Sequence, residues 1–472
     1  MLLSETREGN PISRIDAEFF DVYARKLDDK IRNAPHFLLE NKQVVSGPFG
    51  STLKSEAYLE NGDIPFVRIE NIKGGFYIDA SNIVYISNAD NDRIKNSQLE
   101  LDDLVLSKVG NTIGYFARVN ADIKKCNISE NNIGIKLAKY TTPQKHYILT
   151  YLNTVIAKHL VLKRTSGNAQ PKLNVDDVCY IPIPSFYDSF YSQISNLVMQ
   201  SENTLTQSTT AYIAAENLLL TALDMQNFTP SAEPVAVKSL SESFGTSGRL
   251  DSEYYQGKYG DIEEKFGAAD VLSNVCKLYD NNYNLKDKQE YKYIELSNIG
   301  ASGNITGATV DVGELLPTRA RRIVKEGQVI VSSIEGSLAS CALITDEYAG
   351  ALCSTGFYVV DSSEMNSETL LALFKSEPIQ QLLKKRCSGT ILTAISKEEF
   401  LNLPLPTVDS TTQVQIAELV QSSFALRRES EQLLETAKRA VEVAIEQGEA
   451  AAMELLEKRA NVEESEVCLP KK

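Results

Sequence analysis

The chain has few of the residues that mark catalytic centres. Its three histidines, His36, His146 and His159, fall in no metal-ligand spacing. The seven cysteines are odd in number and include no C-x-x-C pair, which points to free thiols in a reducing cytoplasm and not to a disulfide framework. There is no G-x-x-x-x-G-K-S/T phosphate loop, which excludes an ATP motor, and neither G-x-S-x-G nor H-E-x-x-H occurs. No apolar run reaches the roughly 18 residues a membrane helix needs, and Met1–Glu8 lacks the charged-then-apolar pattern of a signal peptide. Positive charge is also short: 48 Lys and Arg against 63 Asp and Glu leave a net charge of −15. That weighs against a nucleic-acid role, because phosphate neutralisation needs Lys and Arg. The distribution matters more than the sum. Acidic residues concentrate in the tail, from Glu429 through Glu442 and Glu449 to Glu457, whereas Lys124-Lys125, Lys163-Arg164, Arg319-Ala-Arg-Arg322 with Lys325, and Lys384-Lys385-Arg386 lie in the globular parts.

What the chain does have is said twice. Ser166-Gly-Asn-Ala-Gln-Pro-Lys-Leu173 runs through Asp176-Asp177 to Ile181-Pro-Ile-Pro184, and Ser388-Gly-Thr-Ile-Leu-Thr-Ala-Ile395 runs through Glu398-Glu399 to Leu403-Pro-Leu-Pro406. The offset is 222 throughout (388−166, 406−184) and persists into the next stretch, where Gln193-Ile194 matches Gln415-Ile416. Upstream, Arg14-Ile-Asp-Ala-Glu-Phe-Phe20 echoes Arg249-Leu-Asp-Ser-Glu-Tyr-Tyr255, Phe66–Ile72 echoes Tyr293–Ile299, and Leu104–Ser107 echoes Val329–Ser332. A repeat this long is a duplicated domain and not a solenoid unit. With 472 residues, 43% of them hydrophobic, the chain has the mass for more than one core.

The β-branched and apolar runs at Phe66–Ile72, Leu104–Ser107 and their echoes read as core strands. Tyr147–Leu162 and Ser367–Lys385 read as helices, the second kinked or split by Pro378, so each module is mixed α+β. After each Pro-x-Pro a long helix is expected. Ile194, Leu197, Ser201, Thr204, Ser208, Ala211, Ala215, Leu218 and Ala222 step by threes and fours, and Ile416, Leu419, Ser423, Leu426, Ser430, Leu433, Ala437, Ala440 and Ala444 take the same steps. The two helices either pair with each other, as their shared register suggests, or pack each on its own module. The acidic tail, interrupted at Gly448, is expected to fray by Asn461. Asp176-Asp177 and Glu398-Glu399 read as helix-start carboxylates near a positive dipole end.

This ordered, duplicated set resembles the DNA-specificity subunit of type I restriction–modification systems. The Gly47-Pro-Phe-Gly-Ser-Thr-Leu-Lys54 loop and Ser107-Lys-Val-Gly-Asn-Thr-Ile-Gly114 add to the likeness. The resemblance implies two target-recognition domains separated by an antiparallel coiled coil, with a pseudo-twofold internal repeat. Residues 1–184 would form the first domain, 185–228 a central spacer helix, 229–240 a linker, 241–406 the second domain and 407–472 a C-terminal spacer helix and tail. It further implies a non-catalytic chain that binds double-stranded DNA and two adenine N6-methyltransferase subunits, with translocase–nuclease subunits completing the assembly. No cofactor is then expected on this chain, since S-adenosylmethionine, ATP and Mg belong to the partners. The absence of any Pro-Pro dipeptide agrees, because such methyltransferases hold the flipped adenine with an Asn/Asp-Pro-Pro-aromatic motif.

The candidate DNA contacts are Ser51 and Lys54 on the glycine loop, Lys108 and Asn111 beside Gly110, Arg319, Arg321 and Arg322, and the matched clusters Lys163-Arg164 and Lys384-Lys385-Arg386. Asn pairs bidentately with adenine, Lys reaches guanine, and Gly47–Gly50 let backbone approach a phosphate. A glycine turn with a solvated lysine, and ordinary helix-end cations, are the plainer readings of these residues. The second module lacks the glycine loop, its equivalent region reading Ser273-Asn-Val-Cys-Lys-Leu-Tyr279, so the two modules are expected to read different bases. The competing class is a protein-interaction scaffold of two α+β modules on a coiled coil without DNA, which the acidic balance suits.

Overall fold

A computed structural model describes residues 21–467, apart from positions 51, 111, 168–170, 234, 245–247, 284–287 and 390–392, with side chains described to position 459. Contacts divide it into two units, residues to Asn203 with those from Glu429, and Thr204–Arg428, so each long helix contributes to both.

The duplication holds for the strands of both sheets except the edge strand Phe76–Tyr77, which has no counterpart among the described residues of the second unit. Leu104–Ser107 and Val329–Ser332, the apolar runs shared by both halves, are wholly buried, and each is a central strand. In the first unit one sheet runs Val44–Ser46, Asn132–Ile135, Leu104–Ser107, Phe116–Arg118, then Phe76–Tyr77. In the second unit the order is Cys276–Tyr279, Phe357–Ser362, Val329–Ser332, Cys341–Leu343. The registers match, Ser107 opposite Asn132 and Ser332 opposite Phe357. The other sheet of each unit is also equivalent: Val84–Ile86, Ile64–Val67, Lys125–Ile128 and Leu99–Glu100 against Thr309–Val312, Glu290–Ile294, Leu352–Ser354 and Ala320–Ile323. Each contains one parallel pair, Phe66 beside Asn127 and Tyr293 beside Leu352. Even the Ser-Gly turn repeats, as a bridge from Ser166 to Lys172 and a short hairpin pairing Ser388 with Ala394.

Both helical segments before that turn are split. Ser367–Lys375 and Glu377–Lys385 part at Ser376, with Pro378 in the first turn of the second helix, where its missing N–H costs nothing. Tyr147–Leu162, expected as one helix, is also two, Thr142–Leu152 and Val155–Arg164. No proline breaks it; Thr154 does, its hydroxyl capping Ala157 N–H at 3.1 Å. The carboxylate pairs begin helices as expected: Asp177 caps back to Asn174 N–H at 3.1 Å, and Glu399 N–H is capped by Ser396 at 3.2 Å.

The long helices span Asp188–Ala222 and Ser410–Gln447. Within each unit they pair, and both also close that unit's core. In the first, Ile194 and Val198 join Ala437, Ala440 and Val441 against the strands; in the second, Tyr212, Ala215 and Leu219 join Ile416 and Val420. Four positions of the expected seam shift by one residue. Val198, Tyr212 and Leu219 are buried where Leu197, Ala211 and Leu218 were expected, and Val420 replaces Leu419. The buried steps therefore begin with a four and not a three, which turns the larger side chains inward. The serines stay on the seam, and their hydroxyls are satisfied across it. Ser201 Oγ meets Ser430 Oγ at 2.8 Å in the first unit, and Ser208 Oγ donates to the Ser423 carbonyl at 2.7 Å in the second. Ser201 and Ser423 are equivalent under the 222-residue offset, as are Ser208 and Ser430, so one pair is made twice. In the first unit the pairing is antiparallel: Ser201 meets Ser430 while Tyr187 N–H reaches Glu449 Oε2. The tail does more than fray. Gly448, at φ 98°, ends the helix, and a further helix Glu449–Val467 buries Ala452 and lays Met453 and Leu456 on the first core.

His146 has a structural use. Arg118 donates to its Nε2 at 2.6 Å, so the ring is neutral with its proton on Nδ1, 2.9 Å from Ser195 Oγ. Burial first, then the Arg118 charge, push its pKa from 6.5 down to about 4. The unfolded chain therefore binds a proton between those values that the fold refuses, so stability is full above pH 6.5 and falls as the pH drops towards 4. The loss should approach about 3 kcal/mol, at about 1.4 kcal/mol per pH unit. Thermal unfolding against pH should show this slope, and His146→Gln should flatten it. A wild-type ring that titrates near 6.5 by NMR would contradict it.

Among the described residues no helix is long and apolar enough to cross a membrane, and no group of three His, Cys, Asp or Glu is placed to hold a metal ion.

Candidate nucleic-acid interface

The sheet registers bring three segments to one end of the first module. Gly47 N–H bonds to the Asn132 carbonyl at 3.1 Å, Lys108 N–H to Asn131 at 2.7 Å, and Leu173 N–H to Lys108 at 2.9 Å. The glycine loop, the Lys108 turn, the Ser129–Asn131 turn and the Ser-Gly turn therefore form one surface. A cleft of about 650 Å³ lies there, lined by Phe49, Lys54, Tyr58, Arg68, Glu130 and Asn131 among others. Lys54 is exposed. Lys108 is half-buried, with its Nζ 3.3 Å from Ser46 Oγ. Burial, then Lys172, hold its pKa below the usual lysine value, against an opposing pull from Glu130. A partly dehydrated ammonium of this kind gains from an added anionic or carbonyl acceptor. Gly47 serves packing, since a Cβ there would overlap the Ser129 backbone. Ser51 and Asn111 lie outside the described residues.

The second module places different residues at the same end. Ser333 N–H bonds to the Gly356 carbonyl and Ile395 N–H to Ser333, both repeating the Lys108 bonds. Lys108 is thus replaced by Ser333, Lys172 by Ala394, and the Ser129–Asn131 turn by Thr355-Gly356. The counterpart of the glycine loop is the segment after Cys276–Tyr279, beginning Asp280-Asn-Asn-Tyr283. Ser273–Tyr279, expected as that counterpart, instead matches the strand before the loop, because Cys276–Tyr279 takes the sheet position of Val44–Ser46. Arg319 and Arg321 belong to this surface: Thr355 N–H bonds to the Arg319 carbonyl at 2.9 Å and Tyr283 N–H to Arg321 at 2.8 Å. Arg319 is exposed, and Arg321 Nε donates to the Thr318 carbonyl at 2.6 Å. Arg322 turns inward to the Phe357 carbonyl, with its guanidinium 5.8 Å from the Tyr358 ring centre, so it is not aimed at a ligand.

The matched clusters before the Ser-Gly turns are corrected by the structure. Lys163 and Arg164 are buried, Lys163 Nζ 3.0 Å and Arg164 3.7 Å from Asp28 Oδ2, and Arg32 holds the other carboxylate oxygen at 2.9 Å. These bonds tie helix Val22–Arg32 to Val155–Arg164. In the second unit Lys385 and Arg386 bind Glu263 at 2.8 and 3.4 Å, on helix Gly257–Phe266. Asp28 and Glu263 share the 235-residue offset of the Arg14 and Arg249 motifs (263−28, 249−14). The shared role is an internal ion cluster, and no phosphate reaches cations so enclosed. Lys384 is the exception, more exposed and 3.8 Å from Glu253. The sequence reading missed Arg68, Lys172, Phe49 and Tyr283 as members of these surfaces. The replacement of Lys172 by Ala394 at a fixed offset was a usable signal for the first difference.

The model of the type I restriction modification DNA specificity domain matches residues 264–436. No curated protein matches. Among solved structures, the S subunit of a type I restriction-modification system from M. genitalium is similar at 12% identity over 90% of this chain and 96% of that one, TM-score 0.33. The HsdS subunit from Thermoanaerobacter tengcongensis is similar at 14% identity over 89% and 96%, TM-score 0.26. A chain from a structural study of type I R-M complex assembly is similar at 12% over 88% and 97%, TM-score 0.26. The matched residues take in most of the second module and much of the helix after it, so that part of the chain is similar to the type I restriction modification DNA specificity domain.

Proposed function

We propose that this chain is the non-catalytic subunit that chooses the DNA site for a cytoplasmic type I restriction–modification complex, each module reading one half of a bipartite, asymmetric sequence. One observation carries the reading: two modules whose shared strands keep one order and register present different side chains from the same loops. Lys108 and Lys172 stand where Ser333 and Ala394 stand. A duplicated frame with divergent tips suits two readers of unlike half-sites. In the first module Lys54 and Lys108 supply the cations, with Ser51 and Asn111 respectively three residues from them in the sequence; in the second, Arg319 and Arg321 do so. Phosphate contacts set register, and base edges give specificity. The domain divisions near residues 184, 228, 240 and 406 belong to the same proposal. So do partner adenine methyltransferase and nuclease subunits that carry S-adenosylmethionine, ATP and Mg.

The test uses the full chain with and without its methyltransferase partner. The complex should retain duplex DNA with an affinity that falls steeply between 50 and 200 mM salt. Methyl transfer should require both proteins. Lys54→Ala should weaken binding and lower the salt slope by about one. A complex that methylates without this chain, or retains no DNA at low salt, overturns the reading and favours the scaffold.

A further inference from the structure

Each module raises one aromatic ring from the loop after its first sheet strand. In the first module this is Phe49, three residues past Ser46 and 86% exposed; in the second it is Tyr283, four residues past Tyr279 and 45% exposed. A lone exposed hydrophobic is ordinary on a protein surface and carries nothing. Two features set this pair apart. The loops share no sequence, Gly-Pro-Phe-Gly against Asp-Asn-Asn-Tyr, yet each has an aromatic at the same topological place. Both rings are also held out by fixed backbone. Thr52 N–H closes a turn on the Phe49 carbonyl at 2.8 Å, behind Gly47, where a side chain would strike the Ser129 backbone. Tyr283 N–H is anchored to the Arg321 carbonyl at 2.8 Å. Folding gains little from a ring left in water, so its benefit comes from what later covers it.

The surroundings indicate the occupant. Phe49 lines the cleft that carries Arg68 and the exposed Lys54, Arg68 being paired with Glu70 and the walls also holding Glu56 and Glu130. Tyr283 N–H is bonded to the carbonyl of Arg321, two residues from the exposed Arg319. Cations at the rim of a projecting ring suit a polyanion with flat apolar faces inside it. We propose that Phe49 and Tyr283 are stacking wedges, each entering one half of the bound duplex and lying against the face of a base at an opened step. This rests on the DNA-specificity reading and adds a contact that hydrogen bonding to base edges does not supply. An inserted apolar ring lets a protein hold a kinked or unstacked step and favours the steps that open most easily.

The experiment uses the assembled complex with its methyltransferase and duplexes carrying the methylated site, with 2-aminopurine placed in turn at each position of each half. Wild-type complex should raise the fluorescence several-fold at one position per half. Phe49→Ala should abolish the rise in one half only, Tyr283→Ala in the other, each weakening binding by about tenfold or more. The salt slope should stay unchanged, because phosphate contacts remain. Phe49→Tyr and Tyr283→Phe should restore both signals. Neither ring packs in a core, so these variants fold. Tight wild-type binding with no rise anywhere, or alanine variants that bind and fluoresce like wild type, overturns the wedge proposal and leaves site selection standing. Failure of the wild-type complex to bind any duplex overturns both.

Discussion

Exchanging residues 241–406 for the corresponding module of a relative will rewrite one half of the methylated site and leave the other half intact. The expectation follows from how each module is built. Its sheets, its Ser-Gly turn and its ion cluster at Asp28 or Glu263 are closed within its own unit. The tips that carry Lys54 and Lys108, or Arg319 and Arg321, hang from strands of the same module. Each wrong base pair costs about 1–3 kcal/mol, so a changed half-site of three or four bases should lower affinity for the old site by at least about a hundredfold. Methylome sequencing of cells carrying the exchanged chain reads the result directly. If both halves change together, the modules do not read independently.

Asp28→Ala will unfold or severely loosen the first unit, although the residue touches no candidate ligand surface. Its carboxylate, 5% exposed, binds Lys163, Arg164 and Arg32. Removing one partner of a buried pair costs about 3–5 kcal/mol, because the remaining charge stays desolvated. Here three cations lose their counter-ion together. Thermal unfolding should show a large loss for Asp28→Ala and almost none for Lys54→Ala, which should instead weaken DNA binding. If Lys163→Ala weakens DNA retention in proportion to charge while leaving stability intact, the cluster belongs to the interface after all.

The fold was legible in the sequence where repetition made it so. An offset of 222 residues picked out the Ser-Gly turn, the helix-start carboxylates and the long helices, and offsets of 225 and 227 picked out the duplicated strands, because one solution had been written twice. The helix seam was legible only in part. Small residues are nearly neutral between neighbouring positions, so Leu197 or Val198 fits the pattern equally well until the modules close over them. Thr154 splits a helix without any proline to announce it. The surfaces were harder. Lys163-Arg164 and Lys384-Lys385-Arg386 match between halves for a structural reason, since their carboxylate partners lie more than 100 residues away on separate helices. A repeated basic cluster looks the same whether it faces an acid or a phosphate. The informative positions were those where the halves differ, Lys108 against Ser333 and Lys172 against Ala394.

The methylome of the host with and without this chain tests most directly whether one subunit carries two readers. One motif should vanish with the chain, and that motif should be two unlike short blocks separated by unread bases. The helix Asp188–Ala222 has 35 residues, about 52 Å at 1.5 Å per residue. At about 3.4 Å per base pair the whole site should fit within about 15 base pairs. A continuous or palindromic motif, or a methylome indifferent to the chain, would contradict two readers on one subunit.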